Sequence, residues 1–338
     1  MGRNRSDLVI FFGKRLLQMI PVLLGVIVIT FIFTHMAVQN PCAVWLPHAK
    51  PAQIAGCIQK YQLDKPLTDQ FWTYLTSLLS GDWGTDPRGV SVLGSIASGF
   101  PATLELVLAS LFIMVVLGIP LGVIAANGSG RWPDHLVRTL YLSGWATPTY
   151  LGGVILAIAV GPALGLPTKG TFSITPAPPQ ITNMSVLDAL LALNFPAVAD
   201  AILHLILPAS ALAFLNLGIA TRMTRTSMLE VLPLDYVKTA KMKGLSDFIV
   251  LYKHALRNSL ITTVTILGLT AGVLLSGTVV IEYIFQWPGI GLFAFNAITG
   301  YSFSATIAVV IIFAIGVVVS NIIADLLYGL LDPRVEWR

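Results

Sequence analysis

Apolar residues in this chain fall in runs too long for a soluble core, and the polar intervals between them differ in length. A helix needs about 20 apolar residues to cross a bilayer. Six stretches meet that need: Leu16–Met36, Leu104–Ala126, Leu140–Val160, Ala201–Thr221, Leu260–Ile281 and Ala305–Ala324. The pattern predicts an all-α membrane protein with six transmembrane helices. Pro120, Pro148 and Pro208 lie inside these runs and predict kinks, because proline lacks the N–H that the helix ladder uses. His204 and Pro208 make the fourth run the least regular. Gly118 with Gly122, and Gly268 with Gly272, place small residues four apart, a spacing that lets helices approach closely.

The polar intervals carry patterns of their own. In the interval Gln39–Phe100, Asp69–Leu79 sets Phe71, Tyr74, Leu75 and Leu78 at helical spacing, and Gly81–Gly84 reads as a turn. That interval is expected to fold as a small cap. In the interval Glu230–Asn258, Tyr236, Val237 and Ala240 share a helical face, and Gly244 suits a left-handed helix end. Ser246 is placed to cap a second helix with Asp247 in its first turn. Ile249, Tyr252 and Leu256 make its apolar stripe, beside a basic one of Lys253 and Arg257. Two such amphipathic helices either lie on a lipid surface or dock on a soluble partner.

Composition agrees with the pattern. Of 338 residues 55% are hydrophobic and 11% charged, against roughly 25% charged in soluble domains. Fifteen of the twenty Lys and Arg residues fall on one side of a six-span chain, from Arg3, Arg5, Lys14 and Arg15 to Arg334 and Arg338. Lys50, Lys60, Lys65, Arg88 and Lys169 fall on the other. The positive-inside bias therefore puts both termini and the Glu230–Asn258 interval in the cytoplasm. No cleavable signal peptide is expected, since the first apolar run is long enough to span and no small-residue cleavage site comes after it. Cys42 and Cys57 then face an oxidising compartment. A bridge between them would close a short loop, worth on the order of 3 kcal/mol; the other reading is two unpaired, locally buried thiols.

Motifs for chemistry are missing. The only Gly-Lys pair, Gly13-Lys14, is followed by arginine, so there is no phosphate loop. There is no His-Glu-x-x-His, no Gly-x-Ser-x-Gly and no dinucleotide fingerprint. Glu105, Glu282 and Asp325 sit near span ends, where a water-facing or capping role suits them better than a proton relay at the midplane. His35 and His204 read as interfacial polar residues. An energy source is expected on another chain.

The interval Glu230–Asn258 resembles the EAA loop of binding-protein-dependent ABC importer permeases. The resemblance rests on Asp235-Tyr-Val-Lys-Thr-Ala240, Lys241-Met-Lys-Gly244 and His254-Ala-Leu-Arg-Asn258. The dipeptide/oligopeptide/nickel branch is similar at Pro101-Ala-Thr-Leu-Glu105, Gly118–Val123, Arg222–Leu232, Glu282–Gly291 and Asp325–Arg334. Leu63–Leu67 and Gly81–Gly84 extend the likeness into the outer loop, so it covers nearly the whole chain in order. Pro233-Leu234 stands where such permeases often carry Gly-Glu, and Pro233 is suited to the first position of the coupling helix. No proline occurs in Leu260-Ile261-Thr262 where the family often has one.

The resemblance implies an N-terminal helix and extracytoplasmic loop over 1–97, and a transmembrane core over 98–338 with its coupling loop near 230–260. It implies a multi-pass protein of the prokaryotic plasma membrane that is not an enzyme. Asp235, Tyr236, Thr239, Ala240, Lys243, Gly244, His254 and Arg257 would couple it to the ATPases. Its partners would be a second related permease, two ABC ATPase subunits and an extracytoplasmic solute-binding protein. The chain would bind no cofactor, with ATP and Mg held by the ATPases. Dipeptides or oligopeptides are the expected cargo; an oligosaccharide or nickel chelate, or a proton-coupled secondary transporter, are the other readings.

Overall fold

The computed structural model describes residues 5–38 and 40–331. Arg3, Arg334 and Arg338, and the end of the closing Asp325–Arg334 motif, lie outside the described residues. Helices make up almost all of the fold. Among the described residues the extended pairing is one isolated bridge between Thr85 and Ser91.

Among the described residues five helices are long and apolar enough to cross a membrane: Gly13–Ala37, Val92–Asn127, Phe195–Val231, Asp247–Gly277 and Phe303–Leu327. The pair Trp132–Ala146 and Thr149–Leu164 meets the same test jointly but bends by 105°. Its contacts show that the pair makes one crossing. Asp134 meets Arg225, Gly144 lies against the Phe214 carbonyl, Gly161 lies against Leu207, and Ser173 just beyond reaches His204. These contacts descend the helix Phe195–Val231 in order, so the broken pair runs its length and does not turn back. Counted so, the described residues make six spans, as the apolar runs predict.

The kink at Pro148 is sharper than a proline inside a helix would give. Thr147 is extended, with ψ 122°, because the proline ring after it disfavours a helical conformation, and Pro148 opens the second helix at ψ 137°. Pro120 is handled differently. A π-helical turn, Met114–Gly118, precedes it in an otherwise continuous helix. Several span ends move from their expected places: the fourth span runs to Val231 instead of Thr221, and the fifth begins at Asp247 instead of Leu260. The second span begins at Val92, where the Ser91 hydroxyl accepts from the Gly94 N–H at 3.2 Å. The fifth ends at Gly277 instead of Ile281, and the chain continues in the short helices Val279–Phe285 and Ile290–Thr299.

Both glycine pairs serve packing within the chain. A Cβ on Gly118 would come within 2.7 Å of Ala220, and one on Gly122 within 2.6 Å of Thr224, so the second span lies directly on the fourth. A Cβ on Gly268 or Gly272 would come within 3.0 Å of Ala324 and 2.9 Å of Ser320, which fixes the fifth span on the sixth. Asp134 and Arg225 clamp the third span to the fourth, with two charge-assisted bonds of 2.7 Å.

The cap consists of Pro41–Trp45, Pro51–Lys60 and Leu67–Leu79, with Cys42 and Cys57 bridged at a Cα separation of 6.0 Å. Phe71, Tyr74, Leu75 and Leu78 seat the last of these helices on Ile27, Phe31, Ile307 and Ile311 of the first and sixth spans.

Candidate coupling surface

At the end of the bundle opposite the cap, Leu232–Leu234 turns out of the fourth span and leads into the helix Asp235–Met242. Leu234 takes the N-cap position with extended backbone. Pro233 thus belongs to the turn before the helix and not to its first residue. Val237 and Ala240 are buried, while Asp235, Tyr236, Lys238, Thr239 and Lys241 are exposed. The two buried residues join Val123 and Ala126 of the second span, Met228 of the fourth, and Val250, Leu251, Ala255 and Leu256 at the start of the fifth. Asn258 donates to the Tyr236 hydroxyl at 2.7 Å, and the Thr239 hydroxyl donates to the Asp235 carbonyl at 2.8 Å. This short helix is a rigid bracket on three spans.

Lys243 closes the helix, and Gly244 comes next with φ +76°, donating its N–H to the Lys241 carbonyl at 2.9 Å. A left-handed residue here reverses the chain, and glycine takes that conformation without strain. Nothing in this chain lies within 4 Å of a Cβ built on Gly244. Its requirement is conformational, and the space beside it is open to a partner. Ser246 occupies the cap position of the next helix with extended backbone, but its side chain makes no cap bond. That helix is not a separate element. It runs through a π-helical turn, Val250–Ala255, into the fifth span, giving one unit over Asp247–Gly277.

All residues from Lys241 to Ile249 are exposed. Among them Met242 is 79% and Phe248 69% exposed, with Leu245 and Ile249 less so. Phe248 lies 4.7 Å from the Tyr252 ring. The result is an exposed apolar ridge with Lys241, Lys243, Lys253 and Arg257 beside it in the sequence. His254 sits half-buried in the π turn and Arg257 is exposed, one helical step from the bracket. Of the eight residues that the resemblance implicates, Asp235, Tyr236, Thr239, Lys243, Gly244 and Arg257 are exposed, His254 is half-buried and Ala240 faces inward. Met242, Leu245 and Phe248 join this surface without belonging to that set. Large apolar residues in a charged interval are the signal that marks them.

Two further carboxylates, Glu105 and Glu282, join segments of the bundle. Glu105 accepts from the Ser185 N–H and hydroxyl and from the Val186 N–H, each at 2.8 Å, so it caps the helix Ser185–Leu191. Glu282 accepts from the Thr103 hydroxyl at 2.7 Å and the Leu292 N–H at 2.9 Å. Beside it the Trp287 indole donates to the Ala102 carbonyl at 2.8 Å. His204 bonds the Asp200 carbonyl and the Ser173 hydroxyl. Among the described residues no three His, Cys, Asp or Glu side chains converge as a metal site.

Comparison with known proteins places these features. The model of the binding-protein-dependent transport system inner membrane component family matches residues 118–337. The probable D,D-dipeptide transport system permease protein DdpB of Escherichia coli K12 is 39% identical, over 95% of this chain and 96% of that protein. The di/tripeptide transport system permease protein DppB of Pseudomonas aeruginosa is 37% identical over 96% and 98%. The glutathione transport system permease protein GsiC of Salmonella paratyphi A is 34% identical over 96% and 98%. Among solved structures, an inward-facing form of the MetNI methionine ABC transporter matches with a TM-score of 0.55 at 15% identity, covering 71% of this chain and 97% of that one, which is a likeness of fold. Matched over most of its length and sharing more than a third of its residues with permeases from end to end, the chain belongs to the binding-protein-dependent transport system inner membrane components.

Proposed function

We propose that this chain is one membrane-spanning subunit of an ATP-driven importer for dipeptides and short oligopeptides. It forms the path with a second, related permease, takes force from two ATPase subunits and receives cargo from a solute-binding protein. The peptide assignment is supported by relatives named for D,D-dipeptide, di/tripeptide and glutathione transport, which align over nearly the whole chain. With the coupling segment in the cytoplasm, the cap faces the side from which cargo arrives.

The observation that carries the coupling role is the bracket itself. Val237 and Ala240 fix the helix Asp235–Met242 to the second, fourth and fifth spans, while the adjoining ridge stays bare. A push on the ridge is transmitted to all three spans, because interiors packed at this density do not absorb displacement. The fifth span moves directly, as a continuous helix from Asp247. Cargo is moved without covalent chemistry on this chain, and ATP with Mg is held by the ATPases.

The test is reconstitution of the chain with its second permease and ATPases in liposomes, the binding protein added at the cap side. Labelled dipeptide is expected to accumulate only with ATP and binding protein together. Accumulation that persists without the ATPases would overturn the reading.

A further inference from the structure

The coupling surface and the cap leave one charged face of the bundle without a role. Where the third span lies against the fourth, two contacts fix the level of every residue between them. Asp134 is paired with Arg225, and deeper in the bundle the Tyr141 ring lies 3.1 Å from a Cβ built on Gly218. Arg138 falls between Asp134 and Tyr141, and Arg222 between Gly218 and Arg225. The two arginines therefore stand at one height, on opposite walls of one groove, and both are exposed. Trp145, 67% exposed, comes seven residues after Arg138 and so shares its helical face. The Arg222 guanidinium lies over this ring, 5.7 Å from its centre. Among the described residues neither Arg138 nor Arg222 has a carboxylate within ion-pair distance, whereas Arg225 beside them holds Asp134.

The direction of the Arg222 side chain is the informative feature. Trp145 is next to Gly144, which lies against the Phe214 carbonyl, eight residues further from the cytoplasm than Arg222. Arg222 also shares a slot with Trp145, Leu215, Gly218 and Ile219. Its side chain thus runs back along the fourth span, toward the middle of the bilayer. An arginine that faces lipid turns the other way and snorkels toward the headgroups. One held at depth almost always faces a bundle interior or a water-filled cavity, because its charge is costly in hydrocarbon. Thr226 and Glu230, four and eight residues on, continue an exposed polar line to the end of the span. The first span shows the opposite pattern, for its exposed residues from Ile20 to Phe33 are all apolar.

Resting on the importer reading, we infer that this groove lines the aqueous path between the two permeases, and that Arg222 and Arg138 receive the carboxylate of the passing peptide. Two unpaired guanidiniums suit a carboxylate by charge and by geometry. Trp145 offers apolar surface to the side chain next to it. The same charges disfavour cationic cargo.

The test uses the complete transporter in nanodiscs without ATP. Cys42 and Cys57 are bridged, so an introduced thiol is the reactive one in this chain. Leu142→Cys and Ile219→Cys place it about one turn deeper than Arg138 and Arg222, one on each wall. Each variant is treated with an anionic sulfonatoethyl and with a cationic trimethylammonioethyl methanethiosulfonate, and the mass of this chain is followed. Both positions are expected to react, with the anionic reagent favoured relative to free cysteine, while Ile29→Cys on the first span stays unmodified. Adding Arg222→Gln is expected to lower the anionic-to-cationic rate ratio about fivefold, the effect of one nearby charge in water. Arg222→Lys is expected to keep the ratio within about twofold, since it keeps that charge. No reaction at either position would mean that lipid or the second permease covers the groove, and would overturn the inference, as would a ratio that Arg222→Gln leaves unchanged. For the carboxylate contact, Arg222→Gln is expected to lower the maximal rate of Ala-Phe uptake about tenfold with the subunits still copurifying, and Arg222→Lys to restore most of it. An unchanged rate in Arg222→Gln would overturn that contact. The thiol reactions need no uptake, so they remain readable even if the importer reading fails.

Discussion

Gly244 meets a conformational requirement of this chain and, on the proposed reading, leaves room for a partner. Its φ of +76° costs an L residue about 1 kcal/mol or more, and no atom of the chain crowds it. Gly244→Ala is therefore expected to lower stability by about 1 kcal/mol while the permease still inserts and couples. Gly244→Arg adds a long side chain to the bare surface and is expected to abolish ATPase copurification and ATP-driven uptake at normal membrane levels. If both survive in Gly244→Arg, the coupling assignment fails. The Asp134–Arg225 pair is a different kind of dependence, with Asp134 buried and Arg225 a fifth exposed. Asp134→Ala leaves the guanidinium without its partner and is expected to cost about 3 kcal/mol, read as a lower melting temperature in detergent. The left-handed glycine is legible in the sequence because only glycine takes that conformation freely. The ion pair is not, since its partners are 91 residues apart and nothing local marks either one.

Among the elements, the amphipathic cap helix is legible down to its side chains. Phe71, Tyr74, Leu75 and Leu78 all face the first and sixth spans, since a regular helix keeps its 3.6-residue period. The second coupling helix departs from its sequence pattern for the opposite reason. Periodicity puts Ile249, Tyr252 and Leu256 on one stripe, yet Ile249 is exposed, Tyr252 half-buried and Leu256 buried. The π turn Val250–Ala255 intervenes, and its extra residue rotates the helix after the turn relative to the helix before it. Before the turn, Met242, Phe248 and Ile249 are all exposed. Met242→Ser with Phe248→Ser is thus expected to weaken ATPase binding at least tenfold, by titration of purified ATPase, with melting unchanged. The Pro148 break is legible in sequence as a kink, but its 105° depends on packing against the fourth span that no local pattern encodes. In the cap, Cys42→Ser with Cys57→Ser is expected to remove about 3 kcal/mol of local stability and to speed proteolysis between Trp45 and Pro51, while the spans stay resistant.

For the whole molecule the placement of its acids decides how it can be driven. A secondary transporter needs an ionisable group free to exchange its proton or ion near the middle of the bundle. Glu105, expected at a span end, lies well inside the span Val92–Asn127, where it accepts from Ser185 and Val186, and Glu282 accepts from Thr103 and Leu292, so both tie neighbouring segments to the second span. A carboxylate engaged in this way acts as a fastener, because releasing it would unpair several buried N–H groups at once. The opposite end of the bundle holds the helix Asp235–Met242, packed on three spans, and the exposed ridge. On the proposed reading, force enters at one end and cargo at the other, with the spans between them. In proteoliposomes of the complete transporter, a protonophore is expected to leave dipeptide uptake unchanged. Restricting ATP to the cap side is expected to abolish it, and ATP on the coupling side to restore it. Uptake that collapses with the proton gradient while ATP is present would mean that a carboxylate now counted as structural takes part in transport, and Glu282→Gln would be the first variant to separate the two roles.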